Sequence, residues 1–129
     1  MVLLDTHTLL WMFDDVKQLS EQAMETLRKE ELCVSIASFW EMAIKASLPV
    51  EKRRLNMKVS IRTLADICSK NQIEILSLTP NDCERLRSLP HIHDDPFDRM
   101  IIAQAMERGI PLVTRDQRIW QYEDVEKIW

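Results

Sequence analysis

The sequence predicts an α/β fold, a central and largely parallel sheet of four to five strands flanked by helices. Three observations predict it. Short apolar runs alternate with helix-period segments along the whole chain, the order that builds a parallel sheet with crossover helices. The apolar runs, such as Val2-Leu3-Leu4, are continuous rather than alternating, as strands covered on both faces are. Helix-opening residues (Ser20, Pro80, Pro96) and one helix-closing glycine, Gly109, fall between them.

Taken in order, residues 1–5 read as a buried strand that ends on Asp5, and 6–13 as a short helix. Ser20 caps a charged helix over 20–31. Residues 32–36 are a strand rich in apolar and β-branched types. Residues 38–48 form a helix with Trp40, Ile44 and Leu48 at i, i+4 and i+8 on one face. The polar, basic stretch 49–57 reads as a loop or irregular hairpin. A helix over 59–71 leads to a strand at 73–78. Pro80, after Thr79, opens a helix that runs to about residue 89. Residues 90–95 are a loop, and Pro96 opens a helix whose buried face carries Phe97, Ile101 and Ala105. A strand at 111–114 and the turn Arg115-Asp116 follow, and 125–129 supply a last edge strand.

The 129 residues fit a single domain over 1–129. No apolar run is long enough for a bilayer, and Met1-Val2-Leu3-Leu4-Asp5 lacks the basic start and cleavage site of a signal peptide. The expected compartment is the cytoplasm. Three cysteines without a C-x-x-C pair suggest neither a disulfide framework nor a zinc knuckle; Cys33 and Cys68, in apolar contexts, read as buried thiols. With 21 acidic and 17 basic residues the net charge is −4, which argues against a protein that coats nucleic acid through a broad basic surface. A single glycine excludes a Gly-rich phosphate loop.

In folds of this class the working groups collect beyond the carboxyl ends of the strands. Four acids satisfy that rule. Asp5 ends the first strand, Glu41 lies one turn into the helix after the second, Asp98 sits in the first turn after Pro96, and Asp116 follows the strand 111–114. Converging carboxylates repel one another unless a cation offsets them. An all-oxygen set suits Mg²⁺ or Mn²⁺, ions that neutralise charge on a phosphodiester and activate water. Each acid also has a structural reading. Glu41 forms an S-x-x-E box with Ser38 and an i, i+4 pair with Lys45; Asp98 suits the helix dipole; Asp116 is a turn former. Asp5 is harder to explain that way, because a carboxylate ending an apolar strand is costly unless paired.

Four segments carry a family resemblance. Leu4-Asp5-Thr6-His7-Thr8-Leu9-Leu10-Trp11, Ser35-Ile36-Ala37-Ser38-Phe39-Trp40-Glu41, His93-Asp94-Asp95-Pro96-Phe97-Asp98-Arg99 and Leu112-Val113-Thr114-Arg115-Asp116 resemble, in order, the four motifs of the PIN domain, in its subgroup of VapC-type toxins of bacterial toxin–antitoxin pairs. The resemblance implies a PIN-like fold over 1–129 and a Mg²⁺- or Mn²⁺-dependent endoribonuclease that hydrolyses RNA phosphodiesters with a metal-activated water. It implies Asp5, Glu41, Asp98 and Asp116 as catalytic metal ligands, the fourth partly through water, with Thr6 and Thr114 placing hydroxyls beside them. It further implies a homodimer and a cognate antitoxin that enters the active-site groove. One departure stands out. Residues 46–55 lack the Gly-Lys-Leu stretch frequent in this subgroup, which bears on substrate choice and antitoxin fit.

Lys45, Lys52, Arg53, Arg54 and Lys58 suggest a rim that tracks phosphates, and Arg115 is a further candidate for RNA contact. Arg99 and Arg115 each adjoin a proposed ligand, where ion pairing with the acids or contact with phosphate is expected. His7 reads as structural, and His91 and His93 as loop residues near the groove. Trp11, Phe13, Phe39 and Trp40 either stack on bases or, at helical spacing, belong to the core or a dimer surface. The alternative function is a catalytically silent PIN-like module that docks RNA or protein. A receiver-like phospho-acceptor fits less well, because Asp5 stands alone at its strand end and Arg115 is not the lysine that chemistry needs.

Overall fold

The computed structural model describes residues 1–52, 55 and 57–129. Five strands form one sheet: β1 (Val2–Leu4), β2 (Leu32–Ser35), β3 (Glu74–Leu76), β4 (Leu112–Val113) and β5 (Lys127–Ile128). Their order is β3-β2-β1-β4-β5 and every neighbouring pair is parallel. Between them run α1 (Thr6–Asp14), α2 (Glu21–Lys29), α3 (Ile36–Ser47), α4 (Ile61–Lys70), α5 (Pro80–Arg87), α6 (Pro96–Arg108) and α7 (Gln117–Trp120).

Successive strand residues point to opposite faces, and the burial pattern follows. Val2 and Leu4 of β1, with Val34 and Val113, join a core that takes in Leu9, Met42 and Leu64 from α1, α3 and α4. Leu3, with Cys33 and Leu112, joins a second core with Ile101, Ile102 and Ala105 of α6 and Ile119 of α7. A strand buried on both faces has no polar side to show, which is why its sequence reads as an unbroken apolar run.

The helix predicted over 38–48 begins earlier, at Ile36. The Ser35 hydroxyl caps it by accepting from the Ala37 N–H at 3.0 Å, so Ser38 is a buried residue of the first turns rather than a cap. That shift also settles which face is covered. Ala37, Ser38, Glu41 and Met42 are buried, whereas Trp40 is 59% exposed and Ile36, Ile44 and Leu48 lie exposed on the same stripe. The 3.6-residue period was read correctly, but it marked the outer face. α7, a single turn capped by Asp116, was expected only as a turn. α4 opens at Ser60, whose hydroxyl accepts from the Thr63 N–H.

α6 carries Asp98 and is locked to α5 at its far end. Asp82, fully buried, closes a reciprocal capping box with Thr79 and accepts from Arg108 Nη1 at 2.7 Å and Gln104 Nε2 at 3.3 Å. Burial pulls the Asp82 carboxyl upward, but these donors outweigh it and hold the group below the usual carboxylate range. Gly109 then ends α6 at φ +61°, a conformation costly for any other residue. Removing the guanidinium leaves a buried carboxylate short of donors. Arg108→Met should therefore cost about 2–3 kcal/mol by denaturant titration, and Asp82→Asn added to it should recover part of the loss.

Candidate active site

The strand register sets the site. Leu4 pairs with Val34 on one side and Val113 on the other, so the next residues, Asp5, Ser35 and Thr114, stand side by side at the carboxyl ends of the three central strands. Helices leave the sheet directly from these ends. Asp5 Oδ1 accepts from the Thr8 N–H at 2.7 Å and caps α1. Asp116 Oδ1 accepts from the Arg118 N–H at 2.8 Å and caps α7. Asp98 lies in the first turn of α6, whose cap is Asp95, with Oδ1 accepting from the N–H groups of Phe97 and Asp98. Glu41 lies in the second turn of α3.

Asp5, Glu41, Asp98 and Asp116 line one cavity of about 480 Å³. Asp5 is 5% exposed and Glu41 2%. The Thr6 hydroxyl lies 2.6 Å from Glu41 Oε1 and 3.0 Å from the Ser38 hydroxyl. Its one proton goes to the carboxylate, which only accepts, leaving Ser38 to donate to Thr6. The Lys45 ammonium sits on Glu41 Oε2. Thr114, fully buried, bonds the Asp5 carboxylate and accepts from the Asp116 N–H at 3.1 Å. One threonine thus braces two acids, and the other braces a third.

The charge is far from balanced. Among the described residues, only Lys45 brings a lysine or arginine into salt-bridge contact with any of the four acids. Burial raises the Asp5 carboxyl above its ordinary value, even against hydrogen bonds from Thr114 and Thr8. Burial, then the neighbouring charges of Asp95, Glu41, Asp5 and Asp116, push Asp98 up to about 8. Asp116 is the exception. Burial raises it, but the hydrogen bond from His93 and the backbone N–H groups of Arg118 and Ile119 outweigh burial and bring it below the usual range. A concave site lined by oxygen donors with surplus negative charge fits a hard divalent cation.

Comparison with known proteins gives the family and the fold. The PIN domain family model matches residues 2–125. This chain belongs to the PIN-domain family. It is 30% identical over 120 residues to Ribonuclease VapC22 of Mycobacterium tuberculosis (strain ATCC 25618 / H37Rv), covering 92% of this chain and 88% of that protein. In fold it is similar to VapBC2 from Rickettsia felis bound to a DNA fragment from their promoter, at TM-score 0.69 and 13% identity over 98% of this chain and 97% of the other. It is also similar to DNA-bound VapBC from Salmonella typhimurium, at TM-score 0.64 and 19% identity over 98% and 95%.

In this PIN domain the basic residues divide. Lys45 and Arg115 line the acidic cavity, as does Arg118, which sequence reasoning passed over. The Arg115 guanidinium lies 4.2 Å from the Trp11 ring centroid and donates to Gln18 Oε1 at 3.0 Å, so it forms part of an aromatic wall with Trp11 and His7. Lys52 is exposed at the end of a 3₁₀ turn, Val50–Lys52, and does not line the cavity. Arg53 and Arg54 lie outside the described residues. Arg99 is turned away from the acids and donates to the carbonyls of Leu89 and Pro90. His93, read from the sequence as a loop residue near the groove, reaches further in than that. It is buried, with Nε2 3.0 Å from Asp116 Oδ2 and 3.2 Å from Asp98 Oδ2. Its place at the start of the third motif, five residues before Asp98, was the sequence signal for it.

The Asp98 shift has a definite sign. Without metal, the folded protein keeps the Asp98 proton up to about pH 8, whereas the unfolded chain releases it near 3.8. Its contribution to stability is therefore full below 3.8 and is lost as pH rises toward 8. In chelator, Asp98→Asn should melt higher than the parent at pH 7–8, with a gap that narrows toward pH 4 in thermal melts across that range.

Proposed function

We propose that this single-domain chain is a metal-dependent endoribonuclease, the toxin of a toxin–antitoxin pair, that hydrolyses RNA phosphodiesters. The observation that carries this reading is the convergence of four carboxylates, under-compensated in charge, in one open cavity with a cationic and aromatic wall. The 30% identity to a protein named as a ribonuclease supports it. The catalytically silent alternative would be expected to lack one or more of the acids, and all four are present.

Asp5, Glu41 and Asp98 would hold a Mg²⁺ or Mn²⁺ ion, with Asp116 completing the set partly through water. When bound, such an ion neutralises charge on the scissile phosphate and activates water for attack. The chain's own groups do the rest. Thr6 and Thr114 fix the orientation of Glu41 and Asp5. Asp98, pushed up to about 8 by burial and by the neighbouring acids, would give up its proton to solvent only where a cation offsets that negative charge. Lys45, Arg115 and Arg118 draw the phosphate backbone to an otherwise acidic mouth, and Trp11 with His7 offers a stacking surface for a base.

The exposed stripe of Ile36, Trp40, Ile44 and Leu48 on α3 supports burial against protein. We assign it to assembly of a homodimer and to a cognate antitoxin, in keeping with the VapBC complexes that share the fold. No helix among the described residues is long and apolar enough to cross a membrane, and the proposed place of action is the cytoplasm.

Purified protein should cut RNA in Mg²⁺ or Mn²⁺, leave 5′-phosphate and 3′-hydroxyl ends, and stop when EDTA is added. Asp98→Asn should lower the rate by about a hundredfold or more. Undiminished cleavage by that variant would sink the assignment of the site.

A further inference from the structure

His93 invites a metal-ligand reading, since Nε2 and one oxygen each from Asp98 and Asp116 all lie within 4.8 Å of one another. The other ring nitrogen decides against it. The Asp95 N–H donates to His93 Nδ1 at 3.1 Å. A backbone amide always carries its proton, so Nδ1 must present a lone pair, and the proton of the neutral ring then resides on Nε2. It faces Asp116 at 3.0 Å and Asp98 at 3.2 Å. A nitrogen that carries a proton toward two carboxylates has no lone pair for a cation.

The ring is held in that pose by a built support. The His93 N–H donates to the Tyr122 hydroxyl at 2.9 Å, as does that of Ile92 at 3.2 Å, and Tyr122 donates to the Pro90 carbonyl at 2.9 Å. Tyr122 is 3% exposed. Arg99 ties the same loop through the carbonyls of Leu89 and Pro90. Loop 89–95 is therefore anchored on α6 and on Tyr122, and it projects one buried imidazole between two acids.

We infer that His93 is a positioning residue: as the Nε2–H tautomer it clasps Asp98 and Asp116 together for the cation without ligating that cation. This rests on the metal-nuclease reading for the identity of what the acids hold. With both acids charged, as binding a cation requires, the clasp counters the repulsion between them, and on Asp98 it engages only Oδ2. It also keeps the ligand set all-oxygen, so that Mg²⁺ rather than a nitrogen-seeking metal is accepted.

The test uses the full chain labelled with ¹⁵N-histidine, with the His93 ring signals assigned by their loss in His93→Gln. Long-range ¹H–¹⁵N spectra should show the proton on Nε2 and none on Nδ1, both before and after saturation with MgCl₂. A proton on Nδ1, or an Nε2 driven into the unprotonated range by Mg²⁺, would overturn the inference. Calorimetric Mg²⁺ titration supplies the second arm. His93→Gln keeps an N–H where Nε2 stood and should bind Mg²⁺ within about threefold of the parent, whereas His93→Leu should bind about tenfold more weakly or worse. Equal losses in both variants would mark His93 as a ligand, and unchanged binding in His93→Leu would mark it as structural only; either overturns the clasp. If His93→Leu fails to fold, the parent's spectra still decide. Absence of any saturable Mg²⁺ site in the parent would remove the nuclease reading, while the metal-free spectrum would still decide the tautomer.

Discussion

Repulsion among carboxylates at one end of the sheet is the constraint around which this molecule is arranged. Asp5, Glu41, Asp98 and Asp116 enter one cavity, with Asp95 beside them, and burial removes the water that would screen them. Folding tolerates this because nearly every acid is answered locally. Glu41 has a threonine hydroxyl and a lysine, Asp5 two threonines, Asp116 a histidine and backbone N–H groups. Asp98 is answered least, and it carries the largest burden of neighbouring charge. The partial neutralisation is what a site for an exchangeable cation requires. Full pairing would leave nothing for the ion to bind, and no pairing would not fold.

The architecture supplies the convergence. Parallel strands put all their carboxyl ends on one rim, and the register aligns Asp5, Ser35 and Thr114 across the three central strands. Helices start from these ends with polar caps, so cap chemistry and site chemistry draw on the same residues. Away from the rim, the Asp82–Arg108 lock fixes α6 against α5, and the Tyr122–Arg99 network fixes the loop before α6. Both secure the helix that delivers Asp98, from opposite ends.

Much of this was legible in the sequence, and the reasons are physical. Doubly buried strands such as Val2-Leu3-Leu4 announce themselves, and Pro80, Pro96 and Gly109 mark helix ends through their backbone limits. The four acids were legible because each follows or leads a strand or helix start. The stripe of α3 was read as one face, but which face the core covers was not. A hydrophobic period reports that a face is shared, not whether a core or another molecule covers it, and Ile36, Trp40, Ile44 and Leu48 are exposed in the single chain. His93 was read only as near the groove, not as buried between two acids, because its burial depends on Tyr122, distant in sequence. Arg99, beside Asp98 in sequence, points away because its helix turns it toward the loop carbonyls.

The structural and chemical readings of the acids turn out not to compete. Asp5 and Asp116 each use one oxygen to cap a helix, α1 and α7, while remaining in the cavity; Glu41 and Asp98 cap nothing. The tolerance of the four positions to change is therefore unequal. At 5 and 116, only residues able to cap (Asn, Ser or Thr) can replace aspartate without loosening a helix start, so drift there is restrained by folding itself. At 41 the restraint is weaker and of another kind, the buried pairing with Thr6 and Lys45, and at 98 no cap restrains change. A lineage released from selection for activity would lose its carboxylate at 98 first, and would keep polar residues at 5 and 116 long after the chemistry was gone.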